Sequence, residues 1–211
     1  MPSLYQLKPR FQQLLRPLLH GLHRLGVSAN AVTVLALLAS SLLGALLWCW
    51  PQQRGLWLVV PVFMLVRMGL NAIDGMLARE FNQQSRLGAI LNEVGDVVAD
   101  AALFAPFALL PGVNPALLVL VIFLATLTEF VGVLGQVIGG GRRYDGPSGK
   151  SDRALVFGAL AGLHGLGWLA QVVWNPVLAL MAVLLALTVV NRARAALRSA
   201  DRAAPCAGSG A

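Results

Sequence analysis

Polar side chains that can bind a cation recur at helical spacing in one short part of this apolar chain. Five of its nine carboxylates lie between residues 71 and 100. Side chains three or four residues apart lie on one face of a helix. Two such faces follow each other: Arg67, Asn71 and Asp74 on the first, then Asn92, Asp96 and Asp100 on the second, with Glu93 adjoining. The turn between them is short, so the two helices are expected to be antiparallel neighbours whose polar faces meet.

Carboxylate and amide oxygens on two facing helices are hard ligands, which suit Mg²⁺ or Mn²⁺ bound together with a substrate phosphate. Gly75 and Gly88 lack side chains where a ligand could approach the backbone, and Arg79 at the rim could contact phosphate. The alternative is a structural network of paired polar residues in which Arg67 neutralises one aspartate. Charges are costly inside a membrane, which favours the functional interpretation for an array of this size.

The elements that must position these residues are predicted to be membrane helices. Charged residues make up 12% of the 211 residues and hydrophobic residues 57%, whereas a soluble domain has about 25% charged residues. Six continuous apolar runs are each long enough to span a bilayer; they cover roughly residues 31–49, 56–79, 88–110, 115–138, 153–172 and 175–191. The sequence therefore predicts an all-α integral membrane protein with six transmembrane helices.

The ends of the chain differ from this apolar centre. Leucines recur every three or four residues between 3 and 25, which predicts an amphipathic helix in the headgroup region, broken at Pro9 and Pro17. We divide the chain into a juxtamembrane segment (1–27), a six-helix domain (28–195) and a disordered cytoplasmic tail (196–211).

The net charge of +7 is first a signal of topology. If the N-terminus is cytoplasmic and six spans alternate, every Lys and Arg except Arg54 and Arg67 falls on the cytoplasmic side. This distribution obeys the positive-inside rule. It predicts an integral protein of a bacterial inner membrane with both termini cytoplasmic, and it argues against a nucleic-acid partner.

Residues 71–96 resemble the signature of the CDP-alcohol phosphatidyltransferase family, D-x-x-D-G-x-x-A-R followed by G-x-x-x-D-x-x-x-D. The matching positions are Asn71, Asp74, Gly75, Ala78, Arg79, Gly88, Asn92 and Asp96. Two further stretches are similar to family segments: one from Ser28 through Asn30 to Thr33, and one from Gly149 to Arg153. The resemblance covers about residues 25–195 and implies a six-helix bundle with an N-terminal juxtamembrane helix, often as a homodimer.

The resemblance also implies a reaction. Family members transfer a phosphatidyl group from CDP-diacylglycerol to an alcohol and release CMP, with four aspartates around one or two divalent ions. By this resemblance Asn71, Asp74, Asn92 and Asp96 hold Mg²⁺ or Mn²⁺, and Asp96 is the general base. Asp74, Gly75, Ala78, Arg79, Gly88, Asn30 and Thr33 bind the cytidine diphosphate. The chain departs from the family at Asn71 and Asn92, where the amides bring no charge; Glu93 and Asp100 are candidate auxiliary carboxylates.

The acceptor alcohol is less defined. Arg142, Arg143, Lys150 and Arg153 could bind a phosphorylated alcohol, or they could be positive-inside residues that contact anionic lipids. Glu129 lies deep in the fourth apolar run, where it could pair with Arg67 or shape the acceptor pocket. Two other functions compete with the enzyme: a polytopic transporter with a carboxylate site facing the cytoplasm, and a catalytically degenerate protein that binds CDP-lipid.

Overall fold

The computed structural model describes residues 4–203, with side chains described from residue 11 to residue 202, and its regular secondary structure there is helical. Seven α-helices follow one another: α1 (Leu4–Arg24), α2 (Ala29–Cys49), α3 (Arg54–Glu80), α4 (Arg86–Phe104), α5 (Pro115–Val137), α6 (Lys150–Gly165) and α7 (Trp174–Ala203). Short 3₁₀ turns at Ala105–Leu109 and Gln171–Val173 follow α4 and precede α7.

Four helices are long and apolar enough to cross a membrane: α2, α3, α5 and α7 together with the turn before it. The sequence predicted six crossings. Helix α4 falls short because it carries Glu93, Asp96 and Asp100, and α6 because it has only 16 residues. The two helices that fall short of a membrane span are therefore α4, which carries predicted site residues, and α6, which begins at Lys150.

Both ends of the chain are more helical than the sequence suggested. Helix α1 runs without interruption through Pro9 and Pro17, so the predicted break is wrong. Each proline removes one N–H donor, and packing of α1 on α3 holds the helix, with Leu19 fully buried beside Ile73 and Leu77.

At the other end, α7 continues to Ala203. Residues 196–203 are therefore helical rather than part of a disordered tail, because alanine, leucine and arginine favour helix and Ala196 is buried. The remainder of the predicted tail lies outside the described residues.

Close helix crossings set the arrangement of the bundle. Helix α2 packs against α3 and α4, α3 against α6, and α5 against α7. At Gly44 of α2, an added Cβ would overlap the carbonyl of Ala102. Gly158 and Gly162 of α6 lie against Pro61 of α3, where a Cβ would be 3.5 and 3.4 Å from the proline ring atoms. This pair of small residues therefore serves helix packing within the chain.

Apolar and polar residues occupy opposite ends of the bundle. Five aromatic side chains pack together where α3 and α7 begin and α4 ends: Trp57, Phe104, Phe107, Phe157 and Trp174. The rings of Phe104 and Phe157 stack with centroids 3.9 Å apart. The charged side chains lie towards the other end, where α3, α5 and α7 finish and α4 and α6 start.

Candidate active site

The turn between α3 and α4 is tied to the start of α2. Ser85 caps α4, because its hydroxyl accepts a hydrogen bond from the Gly88 N–H at 2.9 Å. The side-chain oxygen of Gln83 accepts from the Ala29 N–H at 2.7 Å, and Asn30 donates to the Ser85 hydroxyl at 3.5 Å. These contacts hold three helix ends at one edge of the site.

Polar side chains of α3 and α4 reach each other, but the two helices are not the closely packed neighbours that the short turn predicted, because each packs on α2. Asn71 Nδ2 donates to Asp96 Oδ1 at 3.4 Å. One turn further along α3, Asp74 is buried and accepts a hydrogen bond from Thr33 Oγ1 at 2.8 Å. Lys150, the first residue of α6, forms an ion pair with Asp96. The structure therefore brings residues of α2, α3, α4 and α6 into one polar group.

The glycines of the signature have identifiable neighbours. A Cβ at Gly88 would lie 2.6 Å from Asn30 Oδ1 and 2.9 Å from Ser85 Oγ, so a larger residue there would displace these two side chains. A Cβ at Gly75 would be 3.2 Å from Arg79 Nη1, because the Arg79 guanidinium folds back along α3. Ala78 is half-buried on α3, and Asn92 is half-buried on α4.

The signature residues are the candidate donors for a divalent cation. Within residues 11–202, no three His, Cys, Asp or Glu side chains come together to hold a metal ion. The signature positions instead offer two carboxylates, Asp74 and Asp96, with the amides of Asn71 and Asn92. Each of these four side chains contains an oxygen, which is the ligand Mg²⁺ and Mn²⁺ prefer.

Deeper in the bundle, Asp100 is enclosed by two arginines. Arg67 Nη1 donates to Asp100 Oδ1 at 2.6 Å, and Arg153 donates to Oδ2 from Nε at 3.2 Å and from Nη2 at 3.0 Å. All three residues are buried. Arg67 Nη2 also donates to the Asp96 carbonyl at 3.2 Å, and it lies 3.7 Å from the Asp96 carboxylate. Arg67 therefore neutralises an aspartate, as one interpretation of the sequence held.

Glu129 of α5 is the second carboxylate in this interior. It accepts from Arg153 Nη2 at 3.0 Å, from Arg142 Nη2 at 3.3 Å and from Arg192 Nη1 at 3.4 Å. Arg142 also forms an ion pair with Glu93 of α4. Glu129 thus pairs with three arginines, and Arg67 pairs with Asp100. The pairing of Glu129 with Arg67 that the sequence suggested is not formed.

The basic residues considered for acceptor binding separate into two groups. Arg142, Lys150 and Arg153 join the carboxylates of the interior, and burial lowers the pKa of Arg142 in its loop. Arg143 instead pairs with Asp145 at 2.9 Å and donates to Ser199 Oγ at 3.0 Å. Its hydrogen bond holds the pKa of the Asp145 carboxyl below the ordinary value.

Two participants were missed by the sequence analysis. Arg192 of α7 is buried and donates to the Thr128 carbonyl at 2.6 Å, and the Thr128 hydroxyl accepts from Arg153 at 3.2 Å. Arg192 had been interpreted only as a positive-inside residue. Its position just after an apolar run gave no sign that its side chain turns inward. The available signal was Glu129, an intramembrane carboxylate that needed a partner the sequence did not identify.

Comparison with known proteins identifies the class that this fold and site define. The model of the CDP-alcohol phosphatidyltransferase family matches residues 26–140. The chain is 52% identical to the inner membrane protein YnbA of Escherichia coli K12 over 196 residues, which is 92% of this chain and 96% of that protein. The chain belongs to the CDP-alcohol phosphatidyltransferase family.

Similarity extends to phosphatidylinositol phosphate synthases. That of Streptomyces avermitilis is 34% identical over 166 residues, covering 74% of this chain and 66% of the relative. The crystal structure of the Mycobacterium tuberculosis enzyme with CDP-DAG bound superposes with a TM-score of 0.71 at 20% identity, covering 87% of this chain and 94% of that one. Its complex with manganese and citrate gives a TM-score of 0.70 at 20% identity, covering 86% and 88%. At this identity the structures establish a shared fold.

Proposed function

We propose that this protein transfers a phosphatidyl group from CDP-diacylglycerol to an alcohol in phospholipid biosynthesis. The observation that carries the proposal is a connected set of polar contacts at the signature positions of a member of this family. Asp74 accepts from Thr33, Asn71 donates to Asp96, and Asp96 pairs with Lys150. A structural relative has been solved with CDP-DAG bound, which supports the same donor here.

In the proposed reaction the alcohol oxygen bonds to the lipid-bearing phosphorus of the donor. The bond from that phosphorus to the CMP oxygen breaks, CMP leaves, and the alcohol proton passes to Asp96. Such transfers depend mostly on positioning and on stabilisation of charge. Lys150 and Arg67 lie against the Asp96 carboxylate and hold it in place.

The donor nucleotide is proposed to lie against the start of α2 and the end of α3. Asn30 and Thr33 offer polar groups there, Arg79 offers a charge at the rim, and Gly75, Ala78 and Gly88 leave the backbone accessible. Asp74, fixed by its hydrogen bond from Thr33, joins the α2 and α3 sides of this region.

The family is divalent-metal dependent, and a relative was solved with manganese. Asn71, Asp74, Asn92 and Asp96 would hold Mg²⁺ or Mn²⁺, which neutralises pyrophosphate charge and orients it for in-line attack. Glu93 and Asp100 were candidates to supply the missing charge. Both are paired with arginines, and Asp96 is itself paired with Arg67 and Lys150. Because little carboxylate charge is then left for metal binding, we propose that the centre holds a single ion.

We further propose that all six helices from α2 to α7 cross an inner membrane, with both termini cytoplasmic. Arg142 pairs with Glu93 and Lys150 with Asp96, so the α5–α6 loop lies at the same end as the α3–α4 turn. That arrangement is consistent with six alternating crossings. If only α2, α3, α5 and α7 crossed, this loop and this turn would be on opposite sides.

The direct test is incubation of the purified protein in detergent with CDP-diacylglycerol, Mn²⁺ and a panel of alcohols. We expect CMP release and a new phospholipid, both abolished by EDTA and restored by added Mn²⁺. The amides at positions 71 and 92 favour one rival, a protein that binds CDP-lipid without turnover. CMP binding with no release in any combination would support that rival. Ion-coupled uptake into liposomes without CMP release would support a transporter.

A further inference from the structure

The apolar end of the bundle, opposite the signature residues, contains a cavity of its own. It measures about 210 Å³, whereas roughly 10–15 Å³ is enough for one water molecule. The connections α2–α3, α4–α5 and α6–α7 all contribute to its lining. The lining includes five side chains with polar atoms: Gln52, Arg54, His164, Gln171 and Trp174. The cavity therefore has room for a small polar group and donors to bind it.

Close contacts between the connections fix the walls of this cavity. A Cβ at Gly167 would lie 2.9 Å from Arg54 Nη1, and a Cβ at Gly112 would lie 2.7 Å from Gln171 Cβ. Both glycines have positive φ, 74° and 87°, a conformation that glycine adopts without strain. Asn175 Nδ2 also donates to the Gly112 carbonyl at 3.1 Å. The cavity is therefore formed by packing of the three connections on one another.

His164 is held in the cavity wall by two buried indole rings. Its ring centroid lies 5.5 Å from that of Trp57 and 5.8 Å from that of Trp174. A histidine ring offers an N–H donor, and the amides of Gln52 and Gln171 offer further donors. These neutral groups can donate to the oxygens of an anion beside a cation.

Arg54 supplies that cation, and its end of the molecule holds no counter-charge. None of the nine carboxylates lies in residues 1–73, 101–128 or 153–200, which include every segment that lines the cavity. Within residues 11–202, no ion pair involves Arg54. A guanidinium can donate two parallel hydrogen bonds to one phosphate group. Charge and donor geometry therefore favour a phosphate as the ligand.

The surroundings of the cavity indicate where such a phosphate comes from. Trp48 and Trp50 precede the α2–α3 side of the lining, Trp168 lies within the α6–α7 side, and all three are exposed. Exposed tryptophans are enriched at membrane–water interfaces. The cavity is thus expected at the level of lipid headgroups.

We propose that this cavity binds the phosphate of an anionic phospholipid headgroup, with Arg54 as its cation and His164 as a neighbouring donor. The site lies at the end of the bundle opposite Asp96. The inference is therefore independent of the proposed function, and its failure would leave that function intact.

A fluorescent reporter at the cavity edge tests the inference locally. Pro111 lines the cavity and is exposed, so a bimane dye is attached to Pro111→Cys in a Cys49→Ser, Cys206→Ser background. Short-chain dihexanoyl phosphatidylglycerol is titrated in a neutral detergent into this protein, and into the same protein with Arg54→Gln or Arg198→Gln. Arg198→Gln is the matched control, because Arg198 is an exposed arginine of α7 outside the cavity lining.

We expect a saturable fluorescence change, with the dissociation constant raised at least about tenfold by Arg54→Gln, because the phosphate loses its charged partner. Arg198→Gln should bind like the parent protein. Equal affinity of the parent and the Arg54→Gln protein overturns the inference, and so does the absence of a saturable change in the parent.

Two further probes separate a lipid from other ligands. Dihexanoylglycerol has the same chains without phosphate, and inorganic phosphate has no chains. We expect both to bind at least about tenfold more weakly than dihexanoyl phosphatidylglycerol. Inorganic phosphate that binds as tightly as the phospholipid would assign the cavity to a soluble anion and overturn the lipid. Dihexanoylglycerol that binds as tightly would exclude recognition of the phosphate.

Discussion

Asp96 lies where the signature residues meet the cations of the site. It accepts from Asn71 on one side and pairs with Lys150 on the other. We expect Asp96→Asn to abolish turnover, since the amide cannot accept the alcohol proton, while CMP still binds through α2 and α3. Single-turnover assays and CMP titration separate these effects. Activity near that of the wild type would exclude Asp96 as the base.

Asn71 offers a second test at the residue scale. Its amide donates to Asp96, whereas Asn71→Asp would place two carboxylates against each other and restore the family's aspartate. We expect the variant to be active with Mn²⁺ but to unfold at a lower temperature in EDTA, because the ion then no longer screens the repulsion. Thermal unfolding of both proteins with and without Mn²⁺ measures this. An equal response to Mn²⁺ would show that position 71 does not face the ion.

A substitution at Asp100 tests whether a buried ion pair contributes more to stability than an exposed one. Asp100→Asn leaves Arg67 and Arg153 without their shared buried counter-charge, and loss of such a partner costs roughly 3–5 kcal/mol. Asp145→Asn removes an exposed partner of Arg143 and should cost at most about 1 kcal/mol. Chemical unfolding in detergent compares the two. Similar effects from both substitutions would contradict a structural role for the Asp100 pairs.

At the scale of elements, α2, which carries Thr33, packs closely against α4, which carries Asp96. The crossing is close because Gly44 lies against the Ala102 carbonyl. An alanine there must push the two backbones apart, with a cost of about 1–3 kcal/mol for overpacking.

Gly44→Ala should therefore lower both the unfolding temperature and turnover. Gly55→Ala is the matched control, because a Cβ at Gly55 meets nothing within 4 Å and alanine favours helix. Both variants can be measured by thermal unfolding and CMP release. If Gly44→Ala and Gly55→Ala have the same unfolding temperature and turnover, close contact of α2 with α4 at Gly44 is not needed.

At the scale of the whole molecule, the number of membrane crossings decides on which side the site opens. Six crossings place Cys49, exposed at the end of α2, and exposed Pro111 on the periplasmic side. Four crossings, without α4 and α6, would leave Cys49 periplasmic but put residue 111 in the cytoplasm.

Labelling with a membrane-impermeant maleimide in intact cells distinguishes these topologies. In a Cys49→Ser, Cys206→Ser background, we expect Pro111→Cys to be labelled without lysis. The Cys206→Ser protein, which retains Cys49, is the positive control. Labelling of Cys49 but not of residue 111 before lysis would support four crossings.

The sequence by itself determined the helices, the two polar faces and the family. Each depends on local spacing, since the helical repeat places Asn71 with Asp74 and Asn92 with Asp96. The short turn did not predict that α3 and α4 would each pack on α2 and reach each other only through long polar side chains. Local rules were less accurate in α1, where packing on α3 outweighs two prolines, and in α7, whose helix extends beyond its apolar run.

Only the tertiary structure decided which charges are paired. Arg192 and Glu129 are 63 residues apart, and Arg153 and Asp100 are 53 apart. Nothing in the periodicity of either helix specifies such partners. They meet because α4, α5, α6 and α7 bring their charged ends to one end of the bundle, and a charge buried there needs a partner. The basic residues that suggested a phosphate site in the sequence thereby form ion pairs with the protein's own carboxylates.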